Sequence, residues 1–385
     1  MSQAVIVDVV RSISGRGKPG GRLSGMHPVD LLASVLRGLV ERSELDPALL
    51  DDVIGGCISQ AGQQSVNITR NALLGAGFPE SVPGTTIDRQ CGSSQQAVAF
   101  AAQGVIAGEY DVVIACGVEQ MSRNPINFAT LGEDPWGDRV HERYPDGLVG
   151  QGISAELIAA RWGLSREQLD EFSARSHRLA AASDFSNELV PVDAGALVDE
   201  TVRPSTTMEG LAGLPAAFRD EELGARFPEI QWRITPGNSS PLTDGASAAL
   251  IMSEEKAAQL GLTPRARILH NTVVGSDPIE MLTGVIPATR RILDRSGLSI
   301  DDIDSFEVNE AFAPVPLAWQ QELSADPERV NQRGGAIALG HPLGASGTRL
   351  LATLVNTLEQ TGGRYGLQTM CEGAGMANAT IIERI

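Results

Sequence analysis

The feature that most constrains the fold is an order of elements that occurs twice along the chain. Apolar strand-like runs alternate with helical patterns from Ala4 onward, and the same order begins again at Ala266. Cys91 in the first copy corresponds to His341 in the second, and such pairs lie about 250–260 residues apart. This spacing predicts a duplicated α/β unit whose equivalent helix starts lie near a pseudo-twofold axis. We therefore expect Cys91 and His341, each beginning the third helix of its half, to meet in space.

A stretch of different character separates the two copies. From Glu119 to about Pro236, aromatic and charged residues lie among short helical patterns that prolines interrupt. Such a segment is typical of a lobe that covers a pocket, and an elaborated surface loop system is the alternative. The predicted division is an N-terminal half over 1–118, an inserted loop domain over 119–248 whose last strand rejoins the N-terminal half, and a C-terminal half over 249–385.

Composition argues against several classes of function. The chain has 385 residues, more than one compact core usually holds, and its net charge is −18. Such an acidic chain is not expected to bind nucleic acid or an anionic membrane surface as its main partner. The N-terminus lacks the basic segment of a signal peptide, and no apolar run approaches the length of about 18 residues that spans a membrane.

The four cysteines lie far apart, at Cys57, Cys91, Cys116 and Cys371, and no CxxC pair exists. This pattern predicts neither a zinc site nor a disulfide scaffold, so no metal is expected. Free cysteines in a chain of this size favour a reducing, cytoplasmic location.

Cys91 is the first candidate for catalysis. The stretch Thr85–Ala102 runs from an apolar strand through the turn Cys91-Gly92-Ser93-Ser94 into a helix of small residues. A cysteine at the start of a helix lies in the positive field of the helix N-terminus, which favours thiolate over thiol. The alternative is a small buried cysteine that fills a gap in the core.

His341 is the second candidate. It lies within Gly334–Gly347, whose apolar run Gly334–Leu339 is interpreted as a strand that ends before the histidine. The glycines of this segment allow the backbone to approach another group closely. A neutral imidazole there can take the proton of a thiol and make Cys91 nucleophilic. A histidine that only caps or packs the turn is the alternative.

Two further strand ends carry reactive or polar groups. Cys371 ends a buried strand in Thr369–Gly375, where a second cysteine can serve as general acid and base. The glycine turn after it exposes backbone N–H groups that can hold an oxyanion. Asn309, in the sequence VNEAF, can position a water or a carbonyl. The alternatives are a buried structural cysteine, like Cys116, and an asparagine that forms a turn.

Together these groups suit carbon–carbon chemistry on thioesters. A thiolate can accept an acyl group from a thioester and return it, because one thioester is no more stable than another. Enolate formation needs a base near the alpha carbon and donors on the carbonyl oxygen. Hydrolysis would need a positioned water and an acid for the leaving group, and it would leave the second thiol without a role.

The cysteine block, the NEAF segment, the GGAIALGHPLGASG block and the final Cys-x-Gly resemble the corresponding blocks of the thiolase family, the acetyl-CoA acyltransferases. The likeness extends over essentially the whole chain. It implies an α/β fold, the duplicated thiolase fold in five layers (αβαβα), with an inserted loop domain, and a homodimer or homotetramer. It also implies CoA as co-substrate, acyl-CoA thioesters as substrates and no permanently bound cofactor.

The resemblance assigns a role to each candidate residue. It implies that Cys91 is the acylated nucleophile, that His341 activates it, and that Cys371 carries the proton of the substrate alpha carbon. Asn309 would hold a water that, with His341, forms one oxyanion hole. The backbone N–H groups of Cys91 and Gly373 would form the other.

The resemblance also covers the CoA site, and the chain departs from the family pattern at several positions, two of which follow the reactive cysteines. Ser240 matches the serine that commonly touches the pantetheine arm of CoA, and Phe312 is assigned to the same substrate site. Ser94 stands where many members have glycine, and it could narrow the pocket. Glu372 stands where an apolar residue is common, and we expect its carboxylate to point away from Cys371.

The function that the resemblance implies is thiolytic cleavage of 3-ketoacyl-CoA to acetyl-CoA or propionyl-CoA and a shortened acyl-CoA, reversible as a Claisen condensation. The chain looks most similar to actinobacterial thiolases that degrade fatty acids or steroid rings. The alternatives are a biosynthetic acetoacetyl-CoA thiolase, a ketoacyl synthase-like condensing enzyme and a non-catalytic acyl-CoA-binding protein. The Cys-x-Gly turn argues against the synthase, and the presence of both thiols and the imidazole argues against a protein without catalysis.

Overall fold

The computed structural model describes residues 3–192, 195 and 197–385. Between Gln120 and Thr243 the described residues form helices, turns and loops, and the strands lie on either side of this segment. The strands are β1 (Ala4–Arg11), β2 (Gly15–Arg16), β3 (Asp52–Gly56), β4 (Thr85–Ile87), β5 (Val112–Gln120), β6 (Thr243–Ser253), β7 (Ala266–Gly275), β8 (Ser305–Val308), β9 (Tyr365–Glu372) and β10 (Met376–Arg384).

Helix termini follow the local sequence. Ser165 and Gln168 form a capping box at the start of one helix, and Pro28 occupies the first turn of another. Among the described helices, none combines the length and the apolar character that crossing a bilayer requires. The helices are α1 (Pro28–Arg42), α2 (Ile68–Gly75), α3 (Ser93–Ala107), α4 (Gly137–Arg143), α5 (Gln151–Arg161), α6 (Arg166–Ala182), α7 (Met208–Ala212), α8 (Glu221–Arg226), α9 (Glu254–Leu260), α10 (Val285–Ser296), α11 (Pro314–Leu323), α12 (Ala336–Leu339) and α13 (Ser346–Thr361).

The strands form one hydrogen-bonded path in the order β4-β3-β5-β6-β1-β7-β10-β9-β8, and β2 pairs with β6. The pairs β3–β4, β3–β5 and β8–β9 are parallel. Outward from the β1–β7 pair, the strands β6, β5 and β3 on one side correspond to β10, β9 and β8 on the other. Val330, which bridges Phe306 in parallel, stands where the second copy of β4 would lie. The duplication predicted from the sequence is therefore a pseudo-twofold repeat in the fold.

The two halves of the sheet pack on opposite sides of a shared helical layer. α1 and α2 bury their apolar faces against the first half, and α10 and α11 cover the second half. α3 and α13 lie between the halves, since both contribute to one core with apolar residues from β1, β6 and β7. The layers are therefore helix, sheet, helix, sheet and helix, which confirms the predicted five-layer αβαβα arrangement.

The segment between β5 and β6 lies against the C-terminal half. Apolar residues of α5 and α6, including Ile158, Leu169 and Phe172, join the core that also contains Trp319 of α11. α5 contacts α11, and α6 contacts α12. The middle segment therefore stands next to the region that carries Asn309 and His341.

One predicted element is wrong. Ala336–Leu339 forms the short helix α12 and not a strand, so His341 follows a helical turn. Gly340 ends this turn with φ 81°, and a Cβ there would lie 2.7 Å from the side chain of Thr243. The sequence did not separate the two possibilities, because a short apolar run that is buried on all sides has no periodicity to distinguish helix from strand.

Candidate active site

Cys91 lies in the turn that leads from β4 into α3. Gly92 is the N-cap residue of the helix, and Cys91 is 2% exposed. The Cys91 side chain packs with Leu350 of α13 and Met370 of β9, and Leu343 packs against the same cluster. The cysteine of the first half therefore contacts elements of the second half.

These contacts bring the predicted catalytic side chains into one region. Leu343 belongs to the same Gly-His-Pro turn as His341, and Met370 immediately precedes Cys371. The two thiols are also close enough to interact, since Cys91 contributes to raising the pKa of Cys371. The duplicated fold thus places one thiol of each half, and the imidazole, around the starts of α3 and α13.

The starts of α3 and α13 pack closely against each other. A Cβ on Gly347 would come within 2.1 Å of the backbone nitrogen of Gln95, so this approach requires glycine. The Thr348 N–H donates to Ser94 Oγ at 3.1 Å. Ser94, which departs from the family pattern, is therefore a helical residue whose hydroxyl is directed to α13.

Hydrogen bonds determine the tautomer of His341. Its Nδ1 lies 2.5 Å from Ser346 Oγ, and that hydroxyl donates to the Pro342 carbonyl at 2.9 Å. Because the hydroxyl has one proton and uses it on Pro342, Ser346 accepts a hydrogen bond from Nδ1–H. The lone pair of Nε2 is therefore available to a proton. The His341 backbone N–H also donates to the Thr243 hydroxyl at 3.0 Å, which holds the residue in place.

The surroundings keep His341 neutral. Burial disfavours the charged imidazolium and the Arg349 guanidinium repels it, which together lower the pKa of His341 to about 3. Asn309 Nδ2 lies 3.4 Å from Nε2, and Asn309 Oδ1 has no hydrogen-bond partner in the described part of the chain. The asparagine and the histidine are therefore adjacent and retain polar groups for a water or a ligand oxygen.

Cys371 lies near the end of β9 and is 1% exposed. The turn after it joins β9 to β10, and Ala374 and Gly375 both have positive φ. A Cβ on Gly373 would lie 2.9 Å from Gln90 Oε1, so this turn packs closely on the nucleophile turn. Across the residues described, the Gly373 N–H donates to no acceptor, which leaves it available to an oxyanion.

The thiol of Cys91 keeps its proton in the resting site. Burial and the charge of Glu372 raise its pKa to about 12, while a hydrogen bond with the Gln151 side chain acts in the opposite direction. The expectation that the helix N-terminus would favour the thiolate is therefore wrong. Deprotonation requires a base at the moment of reaction, and the neutral His341 can supply one.

Ser240 and Phe312 lie on two loops that pair with each other. The Ser240 N–H and hydroxyl both donate to the Ala311 carbonyl, at 3.0 and 3.1 Å. Phe312 is 8% exposed, and its ring meets Phe218 edge to face with 5.9 Å between centroids. Both predicted contact residues are therefore held next to the Asn309 segment.

Sequence reasoning missed several residues that hold this site. Gln151 begins α5 and reaches Cys91, and Thr243 begins β6 and binds the backbone of His341. Each residue is far along the chain from its partner, so the spacing of residues in the sequence did not indicate either contact. Ser346 had a detectable signal, because it lies in the same glycine-rich block as the histidine.

Two domain families match the chain. The family described as thiolase, N-terminal domain, matches residues 4–255, and the family described as thiolase, C-terminal domain, matches residues 262–384. A steroid 3-ketoacyl-CoA thiolase of Mycobacterium tuberculosis is 49% identical over 400 residues, which cover 100% of this chain and 95% of the relative. The 3-ketoacyl-CoA thiolases of Aliivibrio salmonicida and Photobacterium profundum are 43% and 41% identical, each over 100% of both chains. The chain belongs to the thiolase family.

Proposed function

We propose that this protein is a 3-ketoacyl-CoA thiolase, an acetyl-CoA C-acyltransferase that cleaves 3-ketoacyl-CoA with CoA and, in reverse, performs a Claisen condensation. The observation that carries this function is the coupling of two buried thiols, Cys91 and Cys371, against the turn that carries the neutral imidazole of His341. One thiol can hold an acyl group while the other moves a proton, and neither hydrolysis nor simple binding needs both. Full-length identities of 41–49% to 3-ketoacyl-CoA thiolases support the same reaction.

In the first half-reaction, His341 Nε2 takes the proton of Cys91, and the sulfur attacks the 3-keto carbon of the substrate. The backbone N–H groups of Cys91 and Gly373 stabilise the oxyanion that forms there. The C2–C3 bond then breaks, so the acyl group stays on Cys91 and acetyl-CoA leaves as an enolate. His341 and a water held by Asn309 stabilise the enolate oxygen, and Cys371 gives its proton to the enolate carbon.

In the second half-reaction, the thiol of CoA gives its proton to the Cys371 thiolate and attacks the acyl-Cys91 thioester. Collapse of the tetrahedral intermediate releases the sulfur of Cys91, which regains its proton from His341. The free enzyme and a shortened acyl-CoA result. A substrate with a methyl group on its alpha carbon would yield propionyl-CoA by the same steps.

Ser346→Ala is expected to lower kcat for thiolysis while the protein stays folded. The variant leaves His341 Nδ1–H without its acceptor and lets the imidazole turn away from Cys91. Loss of a buried hydrogen bond costs about 1–3 kcal/mol, which corresponds to a roughly five- to 150-fold lower rate if the bond is needed in the transition state. Steady-state kinetics and thermal unfolding of the variant measure the two effects separately.

Ser173→Ala is the matched control for this substitution. Ser173 is also fully buried, and its hydroxyl donates to the Leu169 carbonyl one helical turn earlier, as Ser346 does to Pro342. Its replacement should lower the unfolding temperature slightly and leave kcat unchanged. An equal loss of kcat in both variants would contradict a role for Ser346 in orienting His341.

For the acyl group, we propose a bulky, ring-bearing structure such as a steroid degradation product. The relative at 49% identity carries that specificity in its name, and Phe218 and Phe312 form an aromatic pair next to the Asn309 segment. We expect kcat/KM for a steroid-derived 3-ketoacyl-CoA to exceed that for acetoacetyl-CoA by about tenfold or more, since each further apolar group in a matching pocket adds binding. A substrate panel that also includes straight-chain 3-ketoacyl-CoA would measure this ratio. Preference for acetoacetyl-CoA would instead favour the biosynthetic alternative.

We propose that CoA acts only as a co-substrate and that the enzyme works in the cytoplasm. Each step above uses side chains and backbone groups of this chain, so the reaction needs no permanently bound group. The four cysteines are free and buried, which fits a reducing compartment.

We propose that the chain is divided into an N-terminal half over 1–118, an inserted loop domain over 119–248 and a C-terminal half over 249–385. For the assembly, we propose a homodimer or homotetramer. Among the strands of the described residues, β4 pairs only with β3 and leaves one edge of the sheet open. The N-terminal half also exposes large apolar side chains, among them Val66 at 83% and Phe100 at 41%. The mass in solution, measured by light scattering, would distinguish dimer from tetramer.

A further inference from the structure

Glu372 carries a buried carboxyl group that the proposed reaction does not use. It ends β9, directly after Cys371, and its relative exposure is 0%. Neither carboxyl oxygen has a hydrogen-bond partner within the described part of the chain. A carboxyl group in such a place is costly to ionise, so its effect on neighbouring groups depends on whether it holds a proton.

The side chain of Glu372 reaches the turn that carries Cys91. A Cβ added to Gly92 would lie 2.0 Å from Glu372 Oε1 and 2.6 Å from Asn378 Nδ2. Asn378, on β10, donates to the Gly92 carbonyl at 3.1 Å. These two side chains occupy the space that any residue other than glycine would need at position 92. The carboxyl group of Glu372 therefore reaches the nucleophile turn. That it points away from Cys371 stays a prediction, which rests on the alternation of side chains along a strand.

The charged groups that act on Glu372 come from the segment before Cys91. Burial raises the pKa of Glu372 to about 8, while Arg89 acts to lower it and Asp88 to raise it. The ionised carboxylate in turn raises the pKa of Cys91 and contributes to raising that of Cys371. The charge of Glu372 is therefore coupled to both thiols of the site.

We propose that Glu372 is a positioning residue for the nucleophile: as a neutral acid it supports the Cys91–Gly92 turn, and as a carboxylate it opposes formation of the Cys91 thiolate. This inference rests on the proposed role of Cys91. It means that acyl transfer is favoured while the carboxyl group keeps its proton, and that ionisation of Glu372 limits the rate on the alkaline side of the pH profile. An apolar side chain at position 372 would fill the same space without this limit.

The test compares alkylation of Cys91 by iodoacetamide in the wild type and in Glu372→Gln between about pH 6 and pH 10. Glutamine keeps the shape of the side chain and removes its charge. Below about pH 7 the two proteins should react at the same rate, because Glu372 is then protonated. Well above pH 8 the variant should react about three- to tenfold faster. Without the charge at position 372 the pKa of Cys91 is lower, and each unit of that decrease raises the thiolate fraction about tenfold. The gain in rate is smaller than the gain in thiolate, because a less basic thiolate is a weaker nucleophile. Mass mapping of the peptide that contains Cys91 gives the rate at each pH.

Glu156→Gln is the matched control. Glu156 is 1% exposed and burial raises its pKa, but it accepts the backbone N–H groups of Arg233 and Ile234 and is not among the groups that act on Cys91. Its alkylation profile should follow that of the wild type. A ratio of Glu372→Gln to wild type that stays constant with pH would overturn the proposal, because a structural role alone changes the rate at every pH.

A second variant, Glu372→Ile, is measured as well, so that the test can still be made if Glu372→Gln does not fold. It also removes the charge, so the same divergence above pH 8 is expected, and a constant ratio in either folded variant overturns the proposal. Thiolysis kinetics add a second readout: kcat above pH 8 should rise in the variants relative to the wild type, while KM changes little.

Failure of this proposal and failure of the proposed function are distinguishable. The alkylation rate reports on the Cys91 thiol itself and needs no turnover. If Cys91→Ala retains thiolysis, the assignment of the nucleophile is refuted, whatever Glu372 does to the thiol. If Cys91→Ala is inactive and the alkylation ratio is constant with pH, only the role of Glu372 is refuted.

Discussion

Cys91→Ala is expected to abolish thiolysis and condensation together, with kcat reduced by about 10⁴-fold or more. Both directions pass through an acyl group on this sulfur, and alanine offers no atom to carry it. The methyl side chain is compatible with the small apolar contact that Cys91 makes with Leu350 and Met370, so the fold should persist. Incubation with acetyl-CoA, followed by intact mass and peptide mapping, should show acetylation at Cys91 in the wild type and none in the variant.

Cys116→Ala is the matched control for loss of a buried thiol. Cys116 is fully buried in β5, and it packs within the apolar core of the N-terminal half. Its replacement should cost roughly 1 kcal/mol of stability and leave both acetylation and turnover intact. Substantial thiolysis by Cys91→Ala would refute the assignment of the nucleophile.

Cys371→Ser is expected to separate acyl transfer from proton transfer. The variant should still form acyl-Cys91 from acetyl-CoA, because Cys91, His341 and the backbone donors are unchanged and the sulfur of CoA can leave as a thiolate without the proton of Cys371. It should lose exchange of the alpha protons of acetyl-CoA with deuterium by about 10²–10⁴-fold, since a serine hydroxyl is a far weaker acid than a thiol. Mass spectrometry of acetyl-CoA recovered from heavy water measures the exchange.

Cys57→Ser provides the same chemical change at another buried thiol. Cys57 is also fully buried, near Glu119 and Gln64 in the N-terminal half, and the proposed mechanism does not use it. Its variant should exchange alpha protons at the wild-type rate. Intact exchange in Cys371→Ser would count against Cys371 as the proton carrier and would leave packing in the core as its only role.

The sequence predicted the architecture well because the fold repeats itself along the chain. The alignment of Ala4 with Ala266, and of Cys91 with His341, anticipated the symmetric sheet and the shared layer of α3 and α13. It failed at Ala336–Leu339, where a buried run gave no periodicity and the chain forms a helical turn.

Contacts between residues far apart in the sequence decided the protonation state of each reactive group. The Cys91 thiol has its pKa raised to about 12, although its place before a helix suggested a thiolate. His341 is neutral with Nδ1 protonated, which follows from burial, from Arg349 and from the hydrogen bond with Ser346. None of these facts can be read from the spacing of residues along the chain.

By itself, the sequence determined the doubled α/β unit, the motifs that resemble the thiolase family, and the two thiols and one imidazole that the chemistry needs. These follow from residue types and local patterns, which a linear chain displays directly. Only the tertiary structure decided which of these groups holds a proton, which residues support them and that Glu372 faces the turn of Cys91. Proton affinity depends on burial and on charges nearby in space, and folding draws both from segments that lie far apart in the chain.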